Sequence, residues 1–141
     1  METLKFLHSG WAYLVLLVLI LATGNALIKF FGDKEFNAKD FRISLFALIT
    51  LHIQLLLGII FWFTRGYFDE MSVGEVMKNS GIRKLAVEHP ITMLIAVALV
   101  TIGYSKHKKK LVSKPKFKML AIFYTIALGL VLYMIPWNLW F

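Results

Sequence analysis

Hydrophobic residues in this chain gather into four long runs separated by short polar segments. The runs cover about residues 10–28, 43–64, 85–104 and 119–137. Each is close to the roughly 20 residues that an α-helix needs to cross about 30 Å of hydrocarbon. The runs are rich in leucine and lack the alternation of barrel strands. The pattern therefore predicts an all-α fold, a four-helix transmembrane bundle, with residues 1–141 forming a single transmembrane domain.

The third run contains a proline close to its beginning, and this proline allows two interpretations. In the first, the helix begins near Leu85 or earlier and bends at Pro90, which frees the carbonyl of Ala86 and creates a polar spot beside Glu88 and His89. In the second, Pro90 simply lies in the first turn of the helix. The sequence leaves both interpretations open.

The segment 67–84, between the second and third runs, is the longest of the connections assigned to the outer face. Ser72 and Glu75 stand three residues apart in it and fit a capping box, in which each side chain bonds to the other residue's backbone N–H. We therefore predict a short interfacial helix between spans 2 and 3.

The composition agrees with lipid as the solvent for much of the chain. Of its 141 residues, 59% are hydrophobic and the mean hydropathy is +0.71, whereas soluble domains are about 45–50% apolar. The chain has no cysteine, which excludes disulfides, thiolate metal sites and cysteine-ligated iron–sulfur clusters. The net charge of +8 indicates contact with anionic membrane lipid, and no motif indicates a nucleic-acid partner.

The lysines predict how the chain is oriented. The Lys-rich loop 105–118 holds seven lysines and no acidic residue, and the positive-inside rule makes it cytoplasmic. Four spans then place the segment 32–41 on the same side and both termini outside. The tryptophans agree, because all four fall at helix ends assigned to the outer face, where an aromatic belt is expected: Trp11, Trp62, Trp137 and Trp140.

Polar side chains within the spans are candidate functional groups, because they are costly to place in hydrocarbon. They are His8, Asn25, His52, Gln54, Glu88 and His89. A packing or capping role is expected for Asn25, and His107, in the lysine loop, is expected to be solvated. The sequence shows no paired carboxylates, nucleophile triad, glycine-rich phosphate loop or His-Glu-x-x-His zinc motif, so no catalytic residue is predicted.

His8 and His89 each begin a stripe rich in small residues. The stripes are His8, Ala12, Val15, Leu19, Ala22 and Ala26 on the first helix, and His89, Thr92, Met93, Ala96, Val100 and Gly103 on the third. The two helices run parallel, so the histidines lie at similar depth near the outer face. Two facing imidazoles are the ligands of a six-coordinate b-type haem, and small residues leave room for the macrocycle.

Each imidazole of such a pair needs an acceptor that fixes its tautomer, and Ser9, Glu88 or a freed backbone carbonyl is expected to provide one. The alternative is that His8 and His89 are polar anchors at the membrane interface and that the stripes are ordinary packing faces.

His52 lies near the middle of the second helix and points about 140° away from the stripe that includes Gln54 and Gly58. If the second helix is shifted outward, His52 replaces His8 as the partner of His89. It is also placed to bind a quinone carbonyl, with help from Gln54 of an adjacent subunit. The third possibility is a hydrogen bond across helices with no ligand.

The chain resembles a small bacterial family of four-span membrane proteins labelled cytochrome b-like. The residues that carry the resemblance are His8-Ser9-Gly10, Leu51 to Gly58, Glu88-His89-Pro90 with Met93, Ala96 and Gly103, and Ile135-Pro136-Trp137. The resemblance covers nearly the whole chain and implies haem b binding and electron transfer in the bacterial inner (cytoplasmic) membrane. The Gln54 to Gly58 spacing is also loosely similar to one four-helix half of haem A synthase, but the fourth span lacks the histidines of that pattern.

The sequence and the resemblance together predict a b-type haem protein that passes electrons between the quinone pool and a redox partner in a respiratory complex. His89 is the first expected ligand, His8 its partner and His52 the alternative. The competing prediction is a cofactor-free accessory subunit of a larger membrane complex or a homo-oligomer. A transporter is disfavoured, because there is no inverted repeat and no acidic residue at mid-depth.

Overall fold

The protein is described here by a computed structural model that covers residues 2–140, with side chains for residues 2–139. The described part is all-α. Its elements are α1 (Glu2–Phe31), α2 (Ala38–Arg65), α3 (Val73–Lys78), α4 (Ser80–Arg83), a π-helical segment (Lys84–Glu88), α5 (His89–Lys109), α6 (Ser113–Met134) and α7 (Trp137–Trp140). The segments from α4 to α5 continue as one long helix, Ser80–Lys109.

Four of these helices are long and apolar enough to cross a membrane: α1, α2, the Ser80–Lys109 helix and α6. This confirms the predicted four-helix transmembrane bundle and a multi-pass membrane protein. Three helices extend past the predicted runs at both ends, because their polar flanks are helical too. The fourth ends at Met134, before residue 137, since Pro136 forces Ile135 into an extended conformation with ψ 131°.

The connection between the second and third long helices contains the predicted short helix, α3. Ser72 caps α3 through the capping box expected from the sequence, with its Oγ accepting from the N–H of Glu75 at 3.2 Å. Asn79 then caps α4 in the same way, with its side chain accepting from the N–H of Ile82 at 3.1 Å.

The prediction of a lysine-rich loop over residues 105–118 is wrong in its extent. α5 continues to Lys109 and α6 begins at Ser113, so the loop consists of residues 110–112. Lys110 lies in this short turn, and the other six lysines lie on the last turns of α5 and the first turns of α6. Lysines are good helix formers, so their charge does not end a helix. The cluster of positive charge at this end of the bundle is unchanged by the correction.

The core is built from the small-residue stripes that the sequence predicted. α5 packs chiefly against α6, and α1 packs against α2 and α6. Ala22, Ala26, Ala96, Val100 and Gly103 are all buried at these contacts. Small side chains let the helix backbones approach closely, which is how membrane helices associate.

His107 is fully buried, so the expectation that it would be solvated is wrong. Because α5 continues past it, its ring lies inside the bundle end among the rings of Tyr104, Phe36 and Phe41, with centroids 4.9, 5.5 and 6.1 Å away. Phe36 and Phe41 come from the connection between α1 and α2 and from the start of α2, so the histidine helps close that end of the core.

Candidate functional site

A cavity lies at the end of the bundle where α1 begins and α2 ends. Its volume is about 550 Å³, within the range of about 300–1,000 Å³ typical of small-molecule sites. α1, α2, α5 and the end of α6 contribute its walls, and most lining side chains are apolar. His8, His89 and Gln54, three of the residues predicted from sequence, line it together.

The rings of His8 and His89 face each other in this cavity. Their centroids are 6.3 Å apart and their planes are nearly perpendicular, at 84°. The ring of Phe61, from α2, also contacts His8, with centroids 5.8 Å apart. The sequence predicted that the two histidines lie at similar depth on parallel helices. In the structure their rings are neighbours.

His89 is fixed by a hydrogen bond to the end of α6. Its Nδ1 lies 3.0 Å from the carbonyl oxygen of Met134. Since a carbonyl only accepts, Nδ1 carries the proton and Nε2 keeps its lone pair for a ligand. The expected acceptor was Ser9, Glu88 or a freed backbone carbonyl. Glu88 instead pairs with Arg83 at 2.7 Å, and a carbonyl from a different helix orients the imidazole.

The π-helical segment sets the direction in which His89 points. The N–H of His89 bonds to the carbonyl of Lys84, five residues earlier, instead of the usual four. The additional residue in this turn rotates everything after it by roughly 100° relative to a regular helix. The π-helical segment therefore determines whether the imidazole faces the cavity.

Pro90 removes a helical donor from the irregular turn, and a side chain of α2 replaces it. Proline has no N–H, so the carbonyl of Ala86 loses its helical donor, and the indole Nε1 of Trp62 donates to that carbonyl at 2.8 Å. This agrees with the part of the first interpretation in which the helix begins well before Pro90. The polar spot expected at Ala86 is satisfied by a side chain of α2.

His8 is positioned by α2 and is short of hydrogen bonds. Its Nδ1 is buried without a partner among the described residues, and an unsatisfied buried polar atom costs free energy. Gly58 makes room for the ring, because a Cβ there would lie 3.1 Å from Cε1 of His8. Gln54 donates to the backbone carbonyl of His8 at 2.8 Å, while its own Oε1 is buried and unpartnered among those residues.

His52 does not reach the cavity. Its side chain is exposed on the outer side of the bundle, where Nδ1 bonds to the carbonyl of Leu48 at 2.7 Å and Nε2 lies 3.4 Å from the hydroxyl of Thr101 on α5. The alternative in which His52 replaces His8 beside His89 required a shift of α2 that this bundle does not have. The position of Gly58 against His8 fixes the register of α2 instead.

The pair of imidazoles fits a metal whose remaining ligands come from a macrocycle. Within the described residues there is no group of three or more His, Cys, Asp or Glu side chains that could hold a metal ion. Two imidazoles with ring centroids 6.3 Å apart in an apolar cavity are nitrogen donors of the kind that could hold a haem iron.

Comparison of the chain with protein-family models, curated proteins and solved structures found no match. The resemblance to cytochrome b-like proteins and the looser likeness to haem A synthase therefore stay predictions.

Two contributors to the site were missed by reasoning from sequence. Trp62 was assigned only to the aromatic belt, although its place at the end of α2 also lets it reach the carbonyl freed by Pro90. The carbonyl of Met134 had no signal in the sequence, because any residue can supply a backbone acceptor.

Proposed function

We propose that this chain is an integral membrane protein that binds a b-type haem between His8 and His89. It passes electrons between the quinone pool and a redox partner in the respiratory chain of the bacterial inner membrane. The observation that supports this most directly is the pair of facing imidazoles, 6.3 Å apart, in a cavity of about 550 Å³.

The two histidines and the apolar walls of the cavity have different roles in this proposal. His89, oriented by the carbonyl of Met134, and His8, which lies against Gly58, would hold the haem iron. The apolar walls give the interior of the site a low dielectric constant. A b-type haem held in this way supplies one-electron transfer, with a potential set by its ligands, their hydrogen bonds and the burial of the site. No bond-making or bond-breaking catalysis is proposed.

The proposal is tested by absorption spectra of the detergent-purified protein, oxidised and dithionite-reduced, after expression with haem available. We expect a Soret band and a sharp reduced α-band. His89→Ala and His8→Ala should each lose this spectrum, while His52→Ala, which alters an imidazole outside the cavity, should keep it. A colourless, well-folded wild-type protein would contradict the proposal.

A second candidate function is a cofactor-free accessory subunit of a larger membrane complex. The observation that favours it is His52, a polar side chain near the middle of α2 that is exposed on the outer surface of the bundle. Polar side chains at this depth usually face protein, since lipid offers them no hydrogen bonds. A subunit of this kind would be colourless, and its stability would depend on a partner that covers His52.

A further inference from the structure

The mouth of the cavity carries two cationic side chains. Lys5 lies one turn before His8 on α1, and Arg65 is the last residue of α2. Both line the cavity and both are exposed. The ion pairs found among the described residues involve other lysines and arginines, so neither Lys5 nor Arg65 has a carboxylate partner there.

Arg65 is held at the cavity edge by aromatic rings. Its Cζ lies 5.9 Å from the ring centroid of Phe61 and 5.8 Å from that of Tyr67, both of which also line the cavity. Contacts of this kind attract a guanidinium to the ring face and reduce its freedom. The guanidinium thus has a defined place at the mouth, and its hydrogen-bond donors are free for an anionic ligand.

The lining of the cavity carries no opposing charge. The described residues that line the cavity include no aspartate or glutamate. Glu88, which is next to His89 in the chain, is paired with Arg83 and does not line the cavity. The cavity therefore combines an apolar interior, two imidazoles and a positively charged mouth, and this combination suits an apolar molecule that carries acid groups at one end.

We infer that the ligand of this cavity is a carboxylate-bearing amphiphile, with its carboxylates bound by Lys5 and Arg65 at the mouth. The choice of haem as this amphiphile rests on the proposed function. A b-type haem carries two propionate carboxylates and would enter with these groups outermost. The two cations match the two carboxylates in number, and the charge arrangement itself does not depend on the haem proposal.

The experiment compares haem b with its dimethyl ester, which keeps the iron and the macrocycle but has no carboxylate. Binding to the purified full chain is measured by titration of the Soret band. The variants are Lys5→Gln, Arg65→Gln and both together, with Lys34→Gln/Lys109→Gln as a control that removes two exposed charges at the other end of the bundle.

The wild-type protein and the control should bind the diacid more tightly than the diester. Each single variant should weaken diacid binding by about two- to fivefold, as expected for exposed ion pairs. The double variant should bind diacid and diester equally, with an unchanged Soret maximum because His8 and His89 are intact. Equal binding of diacid and diester by the wild-type protein, or equal losses in the control, would overturn the inference.

A second probe separates failure of this inference from failure of the haem proposal. If the wild-type protein gives no Soret band with haem b, the proposed function fails, and palmitate is compared with methyl palmitate in neutral phosphatidylcholine nanodiscs. Palmitate should then raise the melting temperature of the wild-type protein more than its ester does, and should lose this advantage in the double variant. No difference between acid and ester would reject the carboxylate site as well.

Discussion

Asp40 is the one buried carboxylate among the described residues, with a side chain only 1% exposed. Its oxygens accept from Lys29 at 2.7 Å, from Asn25 at 2.9 Å and from the backbone of Asn37 at 2.9 Å. The hydrogen bond from Asn25 to Asp40 is the packing or capping role expected for Asn25. The sequence did not single out Asp40, because the position lies in a segment that was predicted to be a loop and where an exposed acid is ordinary.

Replacing Asp40 should destabilise the bundle strongly. Asp40→Ala leaves Lys29 and Asn25 without their acceptor, and we expect a loss of about 2–3 kcal/mol in the free energy of unfolding, measured by SDS titration in mixed micelles. Asp33→Asn is the control, since Asp33 pairs with Lys114 at the same 2.7 Å, both side chains are largely exposed, and asparagine tolerates the positive φ of 50° at this position. It should cost little, and equal losses in the two variants would show that burial is not what makes the Asp40 contact important.

At the scale of elements, the helix from Ser80 to Lys109 shows what sequence reasoning reaches and where it stops. Because Pro90 has no N–H, the sequence predicted that the carbonyl of Ala86 lacks its helical donor. In the structure this carbonyl accepts from a side chain instead. The π-helical turn was not predicted, because the hydrophobic pattern sets which face of a helix is buried but does not resolve one inserted residue near its start. The partner of that carbonyl, Trp62, lies 24 residues away in the chain and depends on how α2 packs.

Trp62→Phe should therefore disturb the site as well as the helix. Phenylalanine keeps an aromatic ring but has no N–H, so the Ala86 carbonyl loses its donor. An unsatisfied buried acceptor costs about 1–3 kcal/mol. Trp11→Phe is the matched control, because Trp11 donates to the carbonyl of Thr50 at 2.9 Å but does not line the cavity. Both variants should lose stability in thermal melts, while only Trp62→Phe should weaken haem affinity. Equal effects of the two variants on haem affinity would show that the π-helical turn does not influence the site.

For the whole molecule, composition and run length were sufficient to predict the fold, because four apolar runs of this length have few alternatives to a bundle of helices in lipid. The site was predictable only in part. The facing of His8 and His89 follows from helix period and direction, whereas the exclusion of His52 depends on the register between α1 and α2. That register is set by the close approach of Gly58 to His8, a contact that single-chain periodicity does not contain.

The orientation in the membrane remains the prediction with the widest consequence, because it decides which compartment the cavity faces. The chain has no native cysteine, so single cysteines report sidedness without a background. Leu111, at the α5–α6 turn, is 95% exposed, and Asn79, between α3 and α4 at the cavity end, is also exposed. In bacteria with a permeable outer membrane, a membrane-impermeant maleimide should label Asn79→Cys in intact cells. It should label Leu111→Cys only after lysis, because the positive-inside rule places the lysine cluster in the cytoplasm. The opposite pattern would turn the cavity towards the cytoplasm, and the redox partner would then have to be sought on that side.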